Sequence, residues 1–418
     1  MPTPISLSLF TRTPLVASLA LALGGLAAGP AHAAPLAPGQ RHADTTLQAR
    51  LETARTFGRR ALPRKHRAAQ PEGGALLPVT HCADDGSTGS LREVVANAAS
   101  GDTVDLSALT CSSITLTQGA ISTDLDSLTL RGPDSPLVID GGGITSVLTH
   151  YGAGTLRIER LTLANGYYTG GGGCVFSQAN LTLVASTVRD CSGNESYSSG
   201  AGVLALGDLT LESSTLSGNS GAIAGGGATA DGNVVVRNST ISGNTAAVVG
   251  GGLYHGGEAA GGGALTISNS TISANVADLG GGGVYIGYSI PTALHSTIIA
   301  GNSADSSADL GSTETVAVAG DHNLVMQAGP LLTLPGDTLD SDPQLLPLAD
   351  NGGPTPTHAL ATTSPARDTG SNADALEFDQ RGSGFVRSAG AATDIGAFEI
   401  QSVDVIFANG FESTPGTH

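Results

Sequence analysis

The sequence predicts an all-β fold, a right-handed parallel β-helix with a short N-terminal capping helix. The 418 residues include 60 glycines, no tryptophan and only 4% aromatic residues, so the core must be a regular lattice of small aliphatic side chains. Pairs of threonine and an aliphatic residue recur every 25 to 31 residues, a period typical of solenoids. Apolar residues alternate by two, as in Leu265-Thr266-Ile267, which indicates strands rather than amphipathic helices.

A short helix is predicted to cover the open edge of the first coil, because an exposed strand edge invites pairing with other chains. Ser90 and Glu93 have the spacing of a capping box, and the helix should end near Gly101. Its apolar face consists of Leu91, Val94, Val95 and Ala98. Strands at 114–116, 128–130, 137–139 and 156–158 then lead to the clear repeats.

Each repeat is predicted to form one coil with three short strands, for example 283–286, 264–267 and 270–272. Equivalent strands of successive coils should stack about 4.8 Å apart, so that side chains one period apart form columns. Aligning the repeats on their glycine runs predicts an inward column and an outward column. The inward column is Cys174, Val203, Ala228, Leu253 and Val284. The outward column is Val175, Leu204, Thr229, Tyr254 and Tyr285.

Two corners of each coil carry recurrent residues. Asn219, Asn244 and Asn275 each lie four residues after their threonine, so we expect a ladder of stacked amides along the axis. Cys191 takes this position in an earlier coil, and Asn302 is displaced by one residue relative to Thr297. Glycine runs at 171–173, 225–227, 250–252 and 281–283 mark the other corner, where positive φ and close backbone approach exclude a Cβ.

The four cysteines fit two disulfides of an exported protein, and none has the C-x-x-C spacing of zinc or redox sites. We favour the pairs Cys82–Cys111 and Cys174–Cys191.

The ends of the chain differ in composition from the solenoid. Residues 1–33 have the pattern of a secretory signal peptide, with Arg12, an apolar run and an A-x-A site. A membrane anchor is the alternative, but the run is short and Pro30 and Pro35 follow it. We therefore expect no transmembrane segment in the mature chain. Residues 34–78 form a basic linker or pro-segment, and the β-helix with its cap spans 79–341.

The charge balance argues against nucleic acid as a partner. From residue 75 onward the chain has 9 arginines, no lysine and 33 acidic residues, whereas binding to a phosphate backbone requires net positive charge.

Several phrases resemble known families. The segment from Cys82 through Ser90-Leu91-Arg92-Glu93 resembles the N-terminal region of bacterial secreted right-handed β-helix proteins with a Cys-Ser-Leu-Arg-Glu segment, although Cys82 lies eight residues before Ser90. The glycine and asparagine repeats resemble those of polymorphic outer-membrane proteins. Residues 342–400, with "DPQLLPLADNGGPTPTHAL", "SPARDTG", "DQRG" and "TDIGAFE", resemble the choice-of-anchor Q domain.

The tail 401–418 contains "DVIFANGFES", which is similar to short sorting tails of Gram-negative secreted proteins. Together these resemblances imply a protein that is secreted or displayed on a Gram-negative cell surface. They do not imply an established activity.

Two functions remain open. The first is a non-enzymatic, adhesin-like protein that acts as a monomer and binds cell-surface glycans or proteins, with Tyr254, Tyr285 and Tyr288 as glycan-binding candidates. The second is a polysaccharide lyase or glycoside hydrolase of the pectin-lyase-like type. A lyase acting on uronates needs cationic and basic side chains, yet Arg237 is the only arginine or lysine between residues 190 and 366.

No catalytic residue stands out. A hydrolase needs paired carboxylates, whereas the candidate carboxylates lie on different turns or near the lid, and we interpret them as solvated loop charges. These candidates are Asp84, Asp85, Asp231, Glu258 and Asp278. His255 shares a column with apolar residues and is interpreted as a packing residue. We predict no cofactor and no metal, since the acidic residues lack a recognisable Ca²⁺-ligand spacing.

Overall fold

A computed structural model describes residues 74–195, 198–257 and 263–401. The chain winds into a parallel β-helix whose coils stack three long sheets of eleven, nine and eight strands, together with a small sheet of three strands. A single short helix, Leu91–Asn97, occurs among the described residues, and none of them forms a helix long and apolar enough to cross a bilayer. The predicted fold class is confirmed. The predictions for 1–33, for most of 34–78 and for the tail from 402 concern residues outside those described.

The strands of each sheet follow one another along the axis. Sheet I contains Leu76–Pro78, Thr103–Asp105, Leu128–Arg131, Thr155–Glu159, Asn180–Val184, Leu209–Glu212, Val234–Arg237, Leu265–Ser268, Thr292–His295, Val316–Asp321 and Leu332–Thr333. Sheet II contains Ser113–Thr115, Val138–Asp140, Thr162–Ala164, Thr187–Arg189, Thr215–Ser217, Thr240–Ser242, Thr271–Ser273, Ile298–Ile299 and Leu324–Val325. Sheet III contains Ile121–Thr123, Leu148–His150, Val175–Ser177, Val203–Ala205, Ala228–Ala230, Leu253–His255, Val284–Ile286 and Leu310–Ser312. The small sheet contains Ala222–Ala224, Thr245–Val249 and Val276–Ala277.

The N-terminal helix closes the first coil as predicted, but its capping differs in one bond. Ser90 Oγ accepts from Glu93 N, whereas the Glu93 carboxylate accepts from Gly89 N rather than from Ser90 N. The helix ends at Asn97, four residues before Gly101, because the backbone turns extended at Ala98. Leu91, Val94 and Val95 are buried, so the apolar face packs onto the end of the core.

The inward column of sheet III begins one residue later than predicted in the coil of Cys174. Val175, not Cys174, pairs with Val203. Cys174 N donates instead to Gly202 O, which places Cys174 at the last glycine position of the corner. The alignment on glycine runs was wrong here because a cysteine, not a glycine, fills the last corner position of this coil. The outward column shifts as well, since Phe176 rather than Val175 pairs with Leu204.

The two predicted disulfides join Cys82 to Cys111 and Cys174 to Cys191. The second has a structural equivalent in the coils that follow. A Cβ added at Gly252 would lie 3.1 Å from the Asn275 amide and 2.6 Å from Gly283 O. Gly227 and Asn244 have the same relation. The Cys174–Cys191 disulfide therefore occupies the place at which later coils pack a glycine against an asparagine.

The asparagine ladder runs along this corner. Asn219 Nδ2 donates to Asn244 Oδ1 (2.8 Å), Asn244 Nδ2 donates to Asn275 Oδ1 (2.9 Å), and each oxygen also accepts the backbone N–H of the preceding asparagine. Asn302 belongs to the ladder, since Asn275 Nδ2 donates to its Oδ1 at 2.9 Å. Ile298 rather than Thr297 pairs with Thr271, so the predicted displacement of Asn302 was an error of register.

The serines that precede four successive strands of sheet II, Ser186, Ser214, Ser239 and Ser270, form a second ladder at another corner. Ser214 N donates to Ser239 Oγ and Ser239 N donates to Ser270 Oγ, at 3.0 and 3.1 Å. Each hydroxyl in turn donates to the carbonyl two residues earlier. Thr297 makes the same bond to His295 O, so it holds the serine position in its coil.

Residues 342–401 contain no strand longer than an isolated antiparallel bridge. Part of this segment packs against the solenoid. Ile395 and Phe398 of the segment form one apolar cluster with Ile298 and Leu324 of sheet II. We call it the C-terminal segment.

Candidate functional site

The outer face of sheet I carries a column of ionisable side chains that pair with one another. Arg131 Nε and Arg157 Nε lie 3.0 and 2.6 Å from the two carboxylate oxygens of Glu159. Burial raises the pKa of Glu159, but the hydrogen bonds from both arginines outweigh it, so the pKa lies below its ordinary value. Farther along the sheet, Arg237 pairs with Glu212 at 3.0 Å.

The last coils of sheet I place a histidine in this column. His295 Nδ1 lies 3.0 Å from Asp321 Oδ1, and this hydrogen bond lowers the pKa of Asp321. His322 lies 3.6 Å from Asp321 and 3.8 Å from Asp337. Within the part of the chain that the structure describes, no group of three or more histidine, cysteine or acidic side chains is placed to hold a metal ion.

From the strand Thr215–Ser217 onward, the outer face of sheet II is covered by the C-terminal segment, which bonds to the repeated threonines. Thr240 Oγ1 donates to Gln380 Oε1 (2.6 Å), and Gln380 Nε2 donates to Thr215 Oγ1 (2.8 Å). In the next coil Thr271 Oγ1 accepts from Ala397 N (3.0 Å). All three threonines are buried. The recurrent threonine is therefore a docking column for this segment, a role that the sequence did not indicate.

The C-terminal segment has a charged interior of its own. Arg381 pairs with Asp379 at 2.7 Å, and its guanidinium lies between the rings of Phe385 and Phe398, 3.9 and 3.8 Å from their centroids. Burial raises the pKa of Glu399 to about 7, although the Asp394 and Ala389 amides donate to its carboxylate. These charges connect the loops of the segment to one another.

The carboxylates singled out in the sequence are scattered, and two of them are not solvated. Asp84 is buried, and it binds Arg92 and the amides of Thr117 and Gln118. Burial raises its pKa, but the bonds from Arg92 and these amides lower it further, to below the ordinary value. Asp231 is also largely buried, so the interpretation as a solvated charge is wrong for both.

The remaining carboxylates fall into two groups. Asp85 and Asp278 are exposed, as interpreted from the sequence. Glu258 lies outside the described residues.

The predicted sugar-binding tyrosines lie on or near sheet III, but Tyr254 is not accessible. Only 2% of Tyr254 is exposed, because it packs in a cluster with Val248, Val249 and Ile223 of the small sheet and its flanks. Tyr285 stacks on it with ring centroids 6.3 Å apart and is half-buried. Tyr288 packs against the main core. The structure corrects the interpretation of Tyr254 as a sugar platform.

His255 is fully buried at the end of its strand, and its Nδ1 lies 3.2 Å from Gly257 N. This burial agrees with the packing role inferred from the sequence.

The N-terminal end of the outer face of sheet III holds aromatic residues that the sequence reasoning missed. Tyr168 is 41% exposed, and the Tyr151 ring contacts the Phe176 ring at 5.6 Å between centroids, with the planes tilted by 52°. Beside them, Ser122 Oγ and Thr149 Oγ1 are 2.6 Å apart. The signal was the pair Tyr167-Tyr168, separated by one threonine from a glycine run, in a chain that has only seven tyrosines.

The fold and these surfaces define a parallel β-helix protein whose second sheet is covered in part by its own C-terminal segment. No protein-family model matches the chain. No curated protein matches it either. A solved structure described as the crystal structure of pectate lyase Pel9A is similar, with a TM-score of 0.40 and 12% identity over 78% of this chain and 97% of that one. The strand order described above, rather than this match, establishes the fold.

Proposed function

We propose that the chain is an extracellular, non-enzymatic interaction protein, of the adhesin-like kind, that binds glycans or proteins of the cell surface. The two disulfides support an oxidising, extracytoplasmic location, because such bonds persist there and not in the cytosol. The resemblance of the sequence to secreted β-helix proteins adds a Gram-negative cell surface to this proposal.

The observation that carries the proposal is the pairing of ionisable groups on the long sheets. Arg131 and Arg237 each hold a glutamate of the neighbouring strand, and Arg157 holds Glu159 of its own strand. A lyase uses arginines of this kind to neutralise the substrate carboxylate, which requires that they face the substrate rather than a partner in the protein. The later coils of sheet II and the Tyr254 region of sheet III support the same conclusion, since other segments of the protein already occupy these two surfaces.

The test is a turnover assay on the full chain with plant and bacterial polysaccharides, in which reducing ends and the ultraviolet absorbance of unsaturated products are measured. We expect no product above that of a heat-denatured control. Turnover that is lost in Asp231→Ala or Glu258→Ala would contradict the proposal and establish the lyase or hydrolase alternative. Product formation that both variants retain, and that co-purifies with the protein through two further chromatography steps, would contradict it as well.

A further inference from the structure

The C-terminal segment is held on the solenoid by a series of hydrogen bonds that continues from coil to coil beside the threonines. Asn238 Nδ2 donates to Phe378 O (3.3 Å), and Asn269 Nδ2 donates to Ser371 O (2.9 Å). The apolar cluster around Ile298 holds one end of the segment. Because a polar contact of this kind depends on matched donors and acceptors, a change in the hydrogen-bonding role of one buried group weakens it.

His358 is a titratable side chain within this contact. Its Nε2 lies 2.8 Å from Ser242 Oγ of sheet II, and its Nδ1 lies 2.7 Å from Leu346 O of the segment. His358 is 6% exposed and Ser242 is 3% exposed. Because a carbonyl only accepts, Nδ1 carries the proton of the neutral ring, and Nε2 accepts the hydroxyl of Ser242. The neutral imidazole therefore satisfies both of its partners.

A second ring proton removes this match. His358 Nε2 becomes a donor, so Ser242 Oγ has to accept from it and its own hydrogen needs another acceptor. Among the described residues, the Ser242 hydroxyl has no hydrogen-bond partner other than His358. Protonation would therefore leave a buried hydroxyl hydrogen without an acceptor while it places a positive charge in the interface.

The surroundings of His358 bring no charge that could stabilise an imidazolium. The strand Thr240–Ser242 and its two neighbours, Thr215–Ser217 and Thr271–Ser273, contain no ionisable side chain. Between residues 345 and 360 the segment has one carboxylate, Asp350, which is exposed. Burial lowers the pKa of His358, and only the bond to the Leu346 carbonyl opposes it. The interface is thus built for the neutral ring.

The other buried charges of the segment bond to groups within it; they are Asp379, Arg381, Arg387, Asp394 and Glu399. Outside this interior, Asp374 accepts from Ser268 of sheet I. Burial raises the pKa of Glu399 to about 7, so this carboxyl takes up its proton inside the folded segment as the pH falls. That titration favours the folded segment at acidic pH, the opposite sign to His358. We therefore expect acid to loosen the contact and not the segment itself.

We propose that His358 makes the C-terminal segment a pH-sensitive cover, which lies on sheet II at neutral pH and is released as a body on acidification. The free ring binds its proton with the ordinary pKa of 6.5 and the docked ring binds it less readily, so docking is complete above this pH and weakens below it. Release would uncover two columns of neutral hydroxyls, which are Thr215, Thr240 and Thr271 in one and Ser217, Ser242 and Ser273 in the other. This device is independent of whether the chain is an interaction protein or an enzyme.

The test measures the accessibility of a thiol placed under the cover. The cysteines of the described residues are all in disulfides, and Ala300 is fully buried in the apolar cluster with Phe398, so Ala300→Cys provides one reporter. Its rate of reaction with dithiodipyridine is divided by that of glutathione at the same pH. We expect this ratio to rise at least about threefold from about pH 7.5 to about pH 5. Adding His358→Gln should abolish the rise, because glutamine does not titrate.

A matched control is Ala205→Cys, which places the thiol at an equally buried alanine of the main core on sheet III. Its ratio should stay constant over the same pH range. Should Ala300→Cys fail to fold, hydrogen exchange of the Gly396 and Ala397 amides follows release without a reporter, because they donate to Ser296 O and Thr271 Oγ1 of the solenoid. Their exchange, corrected for the intrinsic effect of pH, should accelerate in the wild type and not in His358→Gln.

Four results would overturn the inference. Equal corrected rates at the two pH values would show that the cover does not respond to acid. An equal rise in the His358→Gln background would assign the response to another group. An equal rise at Ala205→Cys would show that the whole solenoid opens. Faster exchange throughout residues 342–401 would show that the segment unfolds instead of leaving as a body.

Discussion

Replacing Asn244 by alanine should destabilise the solenoid more than a single polar residue normally does. Asn244 is fully buried, and its amide makes four hydrogen bonds. Its Oδ1 accepts from Asn219 N and Asn219 Nδ2, and its Nδ2 donates to Asn275 Oδ1 and Leu216 O. The side chain therefore connects three successive coils.

The magnitude follows from what alanine leaves behind. The Asn219 N–H loses its acceptor inside the protein, and an unsatisfied buried N–H costs about 1–3 kcal/mol. The three other lost hydrogen bonds contribute about 1 kcal/mol each. We therefore expect the free energy of unfolding to fall by about 4–6 kcal/mol, a large part of the stability of an ordinary domain.

Urea unfolding followed by circular dichroism measures this loss, and hydrogen exchange of the Asn219 amide reports it locally, which matters because long repeat arrays can unfold in parts. The matched control is Asn233→Ala, an exposed asparagine that bonds Asp208 and Ala264 and should cost less than about 1 kcal/mol. If Asn244→Ala destabilises the protein no more than Asn233→Ala, or leaves exchange at Asn219 unchanged, the ladder does not stabilise the coils.

Two further predictions concern the same corner and the docked segment. The double variant Cys174→Ala/Cys191→Ala should lose about 3 kcal/mol of unfolding free energy, because a disulfide across 17 residues is removed. The double variant Cys174→Gly/Cys191→Asn restores the glycine–asparagine pair of the later coils, so it should melt at a higher temperature than the alanine variant. Equal melting temperatures of the two variants would contradict this. Burial lowers the pKa of His358, which bonds Ser242 of sheet II and Leu346 O. The unfolded chain therefore binds a proton near the ordinary value of 6.5 that the folded chain does not, and stability should fall as the pH drops through that value. Between about pH 7.5 and about pH 5, His358→Gln should lose less unfolding free energy than the wild type. Parallel curves of unfolding free energy against pH for the two proteins would show that His358 does not cause the loss.

The columns could be predicted from the sequence because stacking places equivalent residues of successive coils over one another. Asn219, Asn244 and Asn275 have the same spacing from their threonines, and that spacing alone indicates a shared corner. The register failed at Thr297 because a threonine hydroxyl makes the same bond to the carbonyl two residues back as the serines do. Because threonine and serine make the same hydrogen bond at this position, aligning the repeats by residue type shifted this coil by one residue.

The exposure of the surfaces could not be predicted, because the segments that cover them are remote in the sequence or are very short strands. Thr240 meets Gln380 across 140 residues, and nothing near either residue indicates the contact. Tyr254 is covered by strands of two to five residues, too short for an alternation of apolar residues to identify. A column can thus be assigned to an outer face from the sequence, but whether solvent reaches that face depends on distant segments.

The repeated phrase Ser-Thr-Ile, with its asparagine three residues after the isoleucine, has four separate uses in one coil. Ser239 holds one corner, Thr240 binds the C-terminal segment, Ile241 fills the core and Asn244 holds the other corner. A change at any one of these positions affects a different neighbour, so the four should not compensate for one another.

The ladder also has a direction, which explains how it ends. Within the ladder, each amide donates to the next asparagine toward the C-terminal end and accepts from the one before it, so the last member needs only to accept from its ladder neighbour. Asp309 fulfils this: its Oδ1 accepts from Asn302 N and Nδ2, and its Oδ2 accepts from Gln327 N. Burial raises the pKa of Asp309 although three donors surround it. An asparagine at 309 would direct an NH₂ group at the Gln327 N–H, so a carboxylate is the residue type that closes this ladder without an opposed donor.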